Sequence, residues 1–505
     1  MTRPNVTHQE RSFLMVSSIT QLQEKMLQQL EKNFIEYSMD MTKIAELIQG
    51  VTDSMLEFAC SLVAEEWESY DRFLCEDEAH RPNWNIIKKE TTTLLTSLGS
   101  VCYHKTLFQN KKTGQYQYLL DKAMGIEPYA RMTEDAEANL LTEAVETSYE
   151  KGGKQVRIGK EIVSRETVKN KLHGLEFPKE TRNLEEKKEV EYLYIDADED
   201  HVALQFREQK GDIIKNERGQ KNNSAIAKLI YVYEGIEKES PQSNRYRLQN
   251  PYYFCRVCEG KENKKLWDEV YDDIEQRYDL NKVKKIYLNA DGGSWITTGK
   301  RRSAGVTYVL DGFHLKKYLQ KITGNFRKTK KEKEEELINI IRKKTKKEFE
   351  DKIKELKEEL SSMRGKRGIE EGAEYILGNW NAAKIRLLRK EGVKGSSTES
   401  HVSHVLSERM SSRPMGWSKE GMAKMAELRA YYYNGGDMLA LVRYQKKKEK
   451  QVVGNEEIIY SSSKMWSEER KRQKKLGNLA DVPSYSIPYV QIKKMLNFKH
   501  QIFGL

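Results

Sequence analysis

Three acidic residues that lie far apart in the sequence have the settings that metal-assisted phosphoryl chemistry needs. Asp196 ends one apolar run, Asp291 follows another and precedes two glycines, and Glu399 opens a predicted helix. Mg²⁺ prefers hard carboxylate oxygens, and two such ions about 3.5–4 Å apart stabilise the attacking and the leaving oxygen of a phosphodiester. The sequence therefore predicts two Mg²⁺ (or Mn²⁺) ions held by Asp196, Asp291 and Glu399, with Asp196 as the bridging ligand.

The choice of acids leaves alternatives open, because an Asp just past a strand is most often a turn residue. Asp198 would share a strand face with Asp196, so it is the second choice for the first ligand. Asp311 also ends a strand and is expected to contact the metal ligands without binding a metal ion itself. Glu371 and Glu408 could replace Glu399 as the third acid.

The residues around Asp291 indicate a phosphate-rich substrate. Gly292 and Gly293 have no side chains, so a metal ion and a DNA backbone can approach closely. Lys300, Arg301 and Arg302 form a basic cluster in a predicted loop after Asp291, where positive charge would attract DNA phosphates. The isolated pair Cys255 and Cys258 lacks the second pair that a zinc site needs, so a structural role is predicted.

Composition limits the class of protein. The chain has 505 residues, a net charge of +11 and five cysteines. This length predicts about two to four domains, and the positive charge favours double-stranded DNA as a partner. The few, odd-numbered cysteines, the lack of a signal peptide and the lack of an apolar run of about 20 residues predict a soluble, cytoplasmic protein without membrane contact.

The chain alternates between helical and strand-rich segments. The predicted order of the central block is three strands (VEYLYIDADED, HVALQFREQ and AKLIYVYEG), an amphipathic helix, two further strands and a helix. This order predicts an α/β (α+β) fold with an RNase H-like mixed sheet, although the helix expected between the last two strands is not apparent. The predicted organisation is a helical region (1–90), a β-hairpin and helix-turn-helix region (91–180), the first part of the catalytic core (190–324), an all-helical insertion (325–392), the last part of the core with the third acid (393–440) and a basic region (441–505).

The helix-turn-helix is predicted from two short helical segments, SYEKGGKQV and SRETVKNKL, the second of which begins at the N-cap Ser164. In such a pair the second helix enters the major groove of DNA. Arg165, Lys169 and Lys171 are therefore predicted DNA contacts, whereas Val168 and Leu172 should face inward. An ordinary helical hairpin is the alternative interpretation.

Four motifs resemble those of ISLre-type insertion-sequence transposases, in the Mutator-like group of DDE transposases. They are LYIDADEDHV, LNADGGSWI, VLDGFHLKKYL and SSTESHVSHVLSERMSSRPMGWS, and the resemblance extends from about residue 90 to beyond residue 430. It implies that Glu399 is the third acid, on a helix that follows an all-helical insertion. It also implies that His314 lies near the scissile phosphate. Arg409, on the Glu399 helix, could hold a phosphate with two hydrogen bonds.

These features predict a DNA transposase that cuts one strand at each element end and joins the freed 3′-OH to target DNA. Holding two ends together implies a homo-oligomer on DNA. The alternatives are an RNase H-fold endonuclease that does not join strands, and an inactive DNA-binding derivative of a transposase.

Overall fold

A computed structural model describes residues 8–452, with short gaps. The gaps are residues 77, 155–162, 179–186, 207–208, 216–218, 220–222, 303–305, 390–391, 395–397 and 414. For residues 8–19, 300–302, 398–399 and 447–452 only the backbone is described. Most of the predicted basic region 441–505 therefore lies outside the described residues.

Helices account for 54% and strands for 20%, so the mixed α/β class predicted from the sequence is confirmed. The chain divides into two compact units: residues 1–133 with 449–505, and residues 134–448.

The first unit contains two long helices and a small antiparallel sheet. Its elements are α1 (His8–Met39), α2 (Ile44–Glu76), a single 3₁₀ turn (Glu78–His80), β1 (Trp84–Leu95), β2 (Ser100–Asn110), β3 (Tyr116–Tyr118) and α3 (Leu119–Met124). The strands pair in the order β1-β2-β3, and Gly114 turns the predicted hairpin with a φ of +70°. The prediction of helix as far as residue 90 is wrong beyond residue 83, because the β-branched run in β1 pairs with β2.

One helix of this unit, α2, is long and apolar enough to cross a membrane, judged by length and composition alone. The sequence prediction that no segment reaches this level is therefore wrong for α2. The same test is also met by helices of proteins that do not cross membranes, so it is weak evidence.

The second unit is built on a five-stranded sheet. Its strands are β4 (Tyr192–Ala203), β5 (Ser224–Tyr233), β8 (Tyr252–Arg256), β9 (Lys285–Ala290) and β10 (Val306–Leu310), with a separate ribbon of β6 (Gly235–Lys238) and β7 (Tyr246–Gln249). Its helices are α4 (Glu134–Glu146), α5 (Tyr149–Lys154), α6 (Arg165–His173), α7 (Glu262–Arg277), α8 (Ser294–Arg302), α9 (Gly312–Thr323), α10 (Lys330–Lys343), α11 (Lys346–Glu358), α12 (Met363–Gly378), α13 (Trp380–Leu388), α14 (Thr398–Val402), a π-helical turn (Ser403–Ser407), α15 (Glu408–Met410), α16 (Lys419–Tyr433) and α17 (Met438–Val452).

The strand order of this sheet is β10-β9-β4-β5-β8. β5 is antiparallel to both β4 and β8, whereas β9 is parallel to both β4 and β10. The prediction of a separate strand at HVALQF is wrong, because β4 continues through Val202, which keeps the alternation of β4 and is buried. The third strand is instead β8. The helix that the sequence did not reveal between the last two strands is α8, so the Lys300–Arg302 cluster lies in a helix rather than in a loop.

Two apolar layers hold the sheet in place. On one face, the stripe of α7 (Leu266, Val270, Ile274 and Tyr278) packs against Leu193, Ile195 and Ala197 of β4, as the helical spacing predicts. Beyond β10, helices α9 to α13 share a core of their own. The helical character predicted for the insertion is thus seen, in the four helices α10 to α13.

Candidate functional site

The alternation of β4 places a row of acids on one face of the sheet. Residues 193, 195 and 197 face α7, so Asp196, Asp198 and Asp200 face the opposite side. Ala197 pairs with Ala290 of the parallel strand β9. The next residue on each strand is therefore an aspartate, Asp198 on β4 and Asp291 after β9, and neighbouring strands lie about 4.8 Å apart.

The backbone after β9 is held in a tight turn around Asp291. The Asp291 carboxylate accepts a hydrogen bond from the Gly293 amide (2.9 Å), and the Tyr375 hydroxyl donates to the Asp291 carbonyl. Gly292 has a φ of +95°, and a Cβ there would lie 2.8 Å from Asn379 Oδ1. Both facts favour glycine here, as the sequence suggested from the need for close approach.

His314 lies within electrostatic reach of three aspartates. The hydrogen bond between His314 Nδ1 and Asp311 Oδ2 (3.2 Å) raises the pKa of His314, and the charges of Asp311, Asp291 and Asp198 raise it further against the effect of burial. Asp311 also caps α9, because its side chain accepts from the His314 amide. The negative charges of Asp198, Asp291 and Asp311 thus all favour the protonated form of this imidazole.

Asp196, the predicted bridging ligand, is placed differently. Its carboxylate is fully buried and accepts hydrogen bonds from the Tyr231 hydroxyl (2.8 Å), the Tyr233 hydroxyl (3.1 Å) and Asn289 Nδ2 (2.6 Å). Arg386 donates to Asn289 Oδ1 (2.6 Å), which adds a buried positive charge. Protein donors thus reach both oxygens of Asp196, which favours Asp198 over Asp196 as the first metal ligand, while the prediction for Asp196 stays a prediction. Asp198, the second choice, is the β4 acid that the structure groups with Asp291.

Glu399 lies on α14, which packs against β4. The next residues of this helix fix its face: His401 Nδ1 lies 3.0 Å from the Tyr253 hydroxyl, and its ring packs against Tyr231, which binds Asp196. α14 therefore covers the acidic face of β4. The Glu399 side chain itself lies outside the described residues. Burial lowers the pKa of His401 to about 4, with a contribution from His404.

The helix continues from α14 through a π-helical turn that contains His404 and Val405. Such turns occur often at functional sites. Arg429, which is fully buried, donates to the carbonyl oxygens of both residues and to that of Val145 on α4. Arg429 thus holds the π-helical turn, and with it the Glu399 helix, to α4.

The prediction that Arg409 binds DNA is wrong for this conformation. Arg409 is 4% exposed, donates to the Ala144 carbonyl (3.1 Å) and packs over the rings of Tyr149 and Trp417. Burial lowers its pKa to about 10. Arg409 therefore fastens the Glu399 helix to the region of α4 and α5, and a phosphate cannot reach it.

The predicted DNA-binding helix α6 has the orientation that the sequence suggests. Ser164 caps it, and Val168 and Leu172 are fully buried. Arg165 is exposed, Lys169 pairs with Glu166 (2.6 Å), and Lys171 pairs with Glu137 (2.7 Å). The residues between α5 and α6, and the side chains of Lys300, Arg301 and Arg302, lie outside the described part of the chain.

Sequence reasoning missed a connection that fixes the loop after β9. Trp295 Nε1 donates to Glu199 Oε2 (2.7 Å), so the residue after Asp198 is joined to the helix after Asp291. The Trp295 carbonyl accepts from Trp267 Nε1 (3.1 Å), and Trp295 is 6% exposed, so its ring is part of the core. The signal in the sequence was Glu199 itself, an acid on the apolar face of β4.

A cavity of about 470 Å³ opens next to Asp291. Gly292, Tyr308 and Asn379 form one part of its wall, and Thr297 and Lys346 form others. Part of a substrate could lie here, between α8 and the start of α13.

Among the side chains that the structure describes, no three His, Cys, Asp or Glu residues form a metal-binding group. Asp198 and Asp291 supply two carboxylates of the type that Mg²⁺ prefers, and the third predicted ligand, Glu399, is outside the described side chains. Cys255 is buried, and burial raises its pKa to about 12; Cys258 Sγ contacts Asn263 Oδ1 (3.5 Å).

The fold and site describe a mixed α/β protein with neighbouring carboxylates on two parallel strands, one within β4 and one just after β9. The model of the uncharacterised protein family UPF0236 matches residues 38–448, and the chain belongs to that family. Two UPF0236 proteins of Caldanaerobacter subterraneus subsp. tengcongensis are each 34% identical to it over 406 residues. These alignments cover 80% of this chain, and 80% and 76% of the relatives.

Proposed function

We propose that this chain is a DNA transposase of an insertion sequence, which cleaves DNA at the element ends and transfers the strand with the freed 3′-OH. The observation that carries the proposal is the register of β4 and β9, which sets Asp198, within β4, beside Asp291, just after β9, with the Glu399 helix packed against β4. The strand order and directions support an RNase H-like core, in which acids at these positions hold metal ions.

Each of the site residues has a proposed role in this reaction. Asp198, Asp291 and Glu399 would hold two Mg²⁺ or Mn²⁺ ions, which supply charge stabilisation to the attacking and leaving oxygens. His314, whose pKa Asp311 raises, would donate a hydrogen bond to a phosphate oxygen or a proton to the leaving group. α6 and its exposed Arg165 support a helix-turn-helix that binds the terminal repeats.

The names of the relatives give separate support. One relative, 34% identical over 407 residues, has a name that joins eleven designations from a single organism, and another joins four. Several designations for one protein in one organism are what copies of a mobile DNA element would produce.

A strand-transfer assay tests the proposal. The purified chain is incubated with Mg²⁺, an oligonucleotide duplex of the element end and a plasmid target. We expect 3′-end cleavage and joined products, both abolished by Asp198→Asn, Asp291→Asn or Glu399→Gln. Cleavage without joining would instead establish the endonuclease, and tight, end-specific binding without cleavage would establish the inactive derivative.

A further inference from the structure

The hairpin of α1 and α2 has an apolar face that the described residues of its unit do not cover. The two helices are antiparallel, since Lys25 pairs with Glu57 (3.0 Å) and Asn33 Nδ2 donates to Ser54 Oγ (3.1 Å). Only 6% of the most apolar window of α2 is buried. Eight large apolar side chains of this hairpin are 48% to 80% exposed: Leu27, Phe34, Ile35, Met39, Met41, Ile44, Ile48 and Met55.

The exposed residues form stripes of regular spacing. Leu27 and Phe34 on α1 are seven residues apart, as are Ile48 and Met55 on α2. Each of the four directly follows a residue that faces the other helix or is half-buried: Met26, Asn33, Leu47 and Ser54. One residue is a rotation of about 100° around a helix, so all four are displaced in the same sense from the contact between the helices.

Equal displacements on two antiparallel helices lead to the same side of the pair, because the sense of rotation reverses together with the direction of the helix. Leu27, Phe34, Ile48 and Met55 therefore form one apolar face. The residues that precede the same inward-facing positions lie on the opposite side, and they are charged: Lys25, Lys32, Glu46 and Asp53. Glu31, which follows the half-buried Leu30, lies beside Leu27 and Phe34, so the first side is mainly apolar with one acid, and the other side is charged.

We propose that this apolar face is the contact between two copies of the chain, packed as a four-helix bundle around a twofold axis. A seven-residue apolar repeat on both helices is the pattern of helices that pack together in bundles. α1 and α2 have 32 and 33 residues, so they are about 48 Å long, which is long enough for an interface of standard size. A contiguous exposed patch of this kind marks an interaction site.

The charge of the hairpin argues against other occupants of the face. α2 has eight acidic residues and one arginine, a net charge of −7, so DNA and an anionic lipid surface would both be repelled. A membrane span would bury Glu46, Asp53 and Glu57, and each acid near the centre of a bilayer costs about 3 kcal/mol. A second copy avoids the burial of Glu46, Asp53 and Glu57, because the charged side of each hairpin stays in water.

Light scattering on the full-length chain, without DNA or metal, tests the inference independently of the proposed activity. We expect a mass of about twice 59.0 kDa at micromolar concentration. Phe34→Glu combined with Ile48→Glu should raise the dissociation constant by at least about 100-fold and give a monomer. A matched pair of exposed apolar residues in the other unit, Ile213→Glu with Met363→Glu, should leave the dimer intact.

Circular dichroism shows whether the charged variant keeps its helices, and Phe34→Leu with Ile48→Leu should retain the dimer. A monomeric wild type at tens of micromolar would overturn the inference. Loss of the dimer in both double glutamate variants, the one in the hairpin and the one in the other unit, would overturn it as well. Co-sedimentation of the wild type with phosphatidylcholine vesicles, abolished by Phe34→Glu with Ile48→Glu, would assign the face to lipid instead.

Discussion

Asp196 and Asp198 lie two residues apart on the same face of β4, in regions of opposite character. Around Asp196, two tyrosine hydroxyls, the Asn289 amide and the charge of Arg386 surround a fully buried carboxylate. Asp198, by contrast, acts together with the carboxylates of Asp291 and Asp311 to raise the pKa of His314. An acid whose oxygens already accept from protein donors stabilises the fold. A group of acids that raise the pKa of one imidazole gains most from a bound cation or a phosphate-bearing substrate.

The largest effect that this comparison predicts is on catalysis. Asp198→Asn and Asp291→Asn should each lower the rate of DNA-end cleavage by about 1,000-fold or more, because each removes a charged ligand of the proposed ions. Both variants should unfold at or above the wild-type temperature, since each also removes a negative charge from a group of like charges. Rates with Mg²⁺ and thermal unfolding curves are the measurements.

Asp272→Asn, an exposed change on α7 across the sheet, serves as the control for this pair. It should leave the rate within about threefold of wild type. If Asp196→Asn removed cleavage while the Asp198 variant stayed active, the assignment of the first acid would return to Asp196.

The buried region should respond in stability. Asp196→Ala should lower the free energy of unfolding by about 3–5 kcal/mol, because it leaves the donors of Tyr231, Tyr233 and Asn289 without their acceptor and Arg386 without its nearby negative charge. Urea unfolding of the variant and of wild type measures the difference.

Asp200 provides a matched change on the same face of β4, where it accepts from the Ser411 hydroxyl (3.0 Å). Asp200→Ala should cost about 1 kcal/mol, the value of a single hydrogen bond. Equal losses at Asp196 and Asp200 would contradict the distinction between the two regions.

Sequence patterns could locate most of the elements but could not choose between the two aspartates. The stripe of α7, the strands β9 and β10 and the helical insertion all follow from local periodicity. Asp196 and Asp198 have the same orientation in a strand of period two, so only the pairing of Ala197 with Ala290 separates them. That pairing is a long-range contact, and no local pattern encodes it.

The errors in the predicted strands have a similar origin. HVALQF has strand-forming residues, but no turn separates it from VEYLYIDADED, so the two form one strand. β8 is only five residues long and follows Pro251, so the sequence pattern did not distinguish it from a loop. The role of Arg409 also depends on the fold. The sequence alone does not distinguish a buried arginine from one that binds phosphate, because the difference lies in the neighbouring residues of the folded chain.

A third prediction concerns acid sensitivity of the buried region. The pKa of His401 is lowered to about 4 by burial, below its ordinary value of about 6.5. Between these values the unfolded chain binds a proton that the folded chain does not, so stability falls as pH falls. We expect a loss of about 2 kcal/mol from His401 between about pH 7 and about pH 5, which His401→Gln should remove.

Urea unfolding at both pH values measures this loss. His404→Gln, on the same helix and more exposed, is the control that should keep the pH dependence. An unchanged pH dependence in His401→Gln would show that the histidine is accessible to protons in the folded protein.

The smallest effect is expected where β4 is joined to α8, at the hydrogen bond from Trp295 Nε1 to Glu199 Oε2. Trp295→Phe keeps an aromatic ring in the core but removes the donor, so the loop around Asp291 loses a constraint on its position relative to Asp198. We expect a loss of about 1–2 kcal/mol in the free energy of unfolding and about a tenfold lower cleavage rate.

Glu199→Gln keeps an acceptor for the indole and should fall between wild type and Trp295→Phe in both measurements. If Trp295→Phe lost stability but cleaved at the wild-type rate over a range of Mg²⁺ concentrations, the bond would serve the fold alone, and the positions of Asp198 and Asp291 would be set by strand pairing.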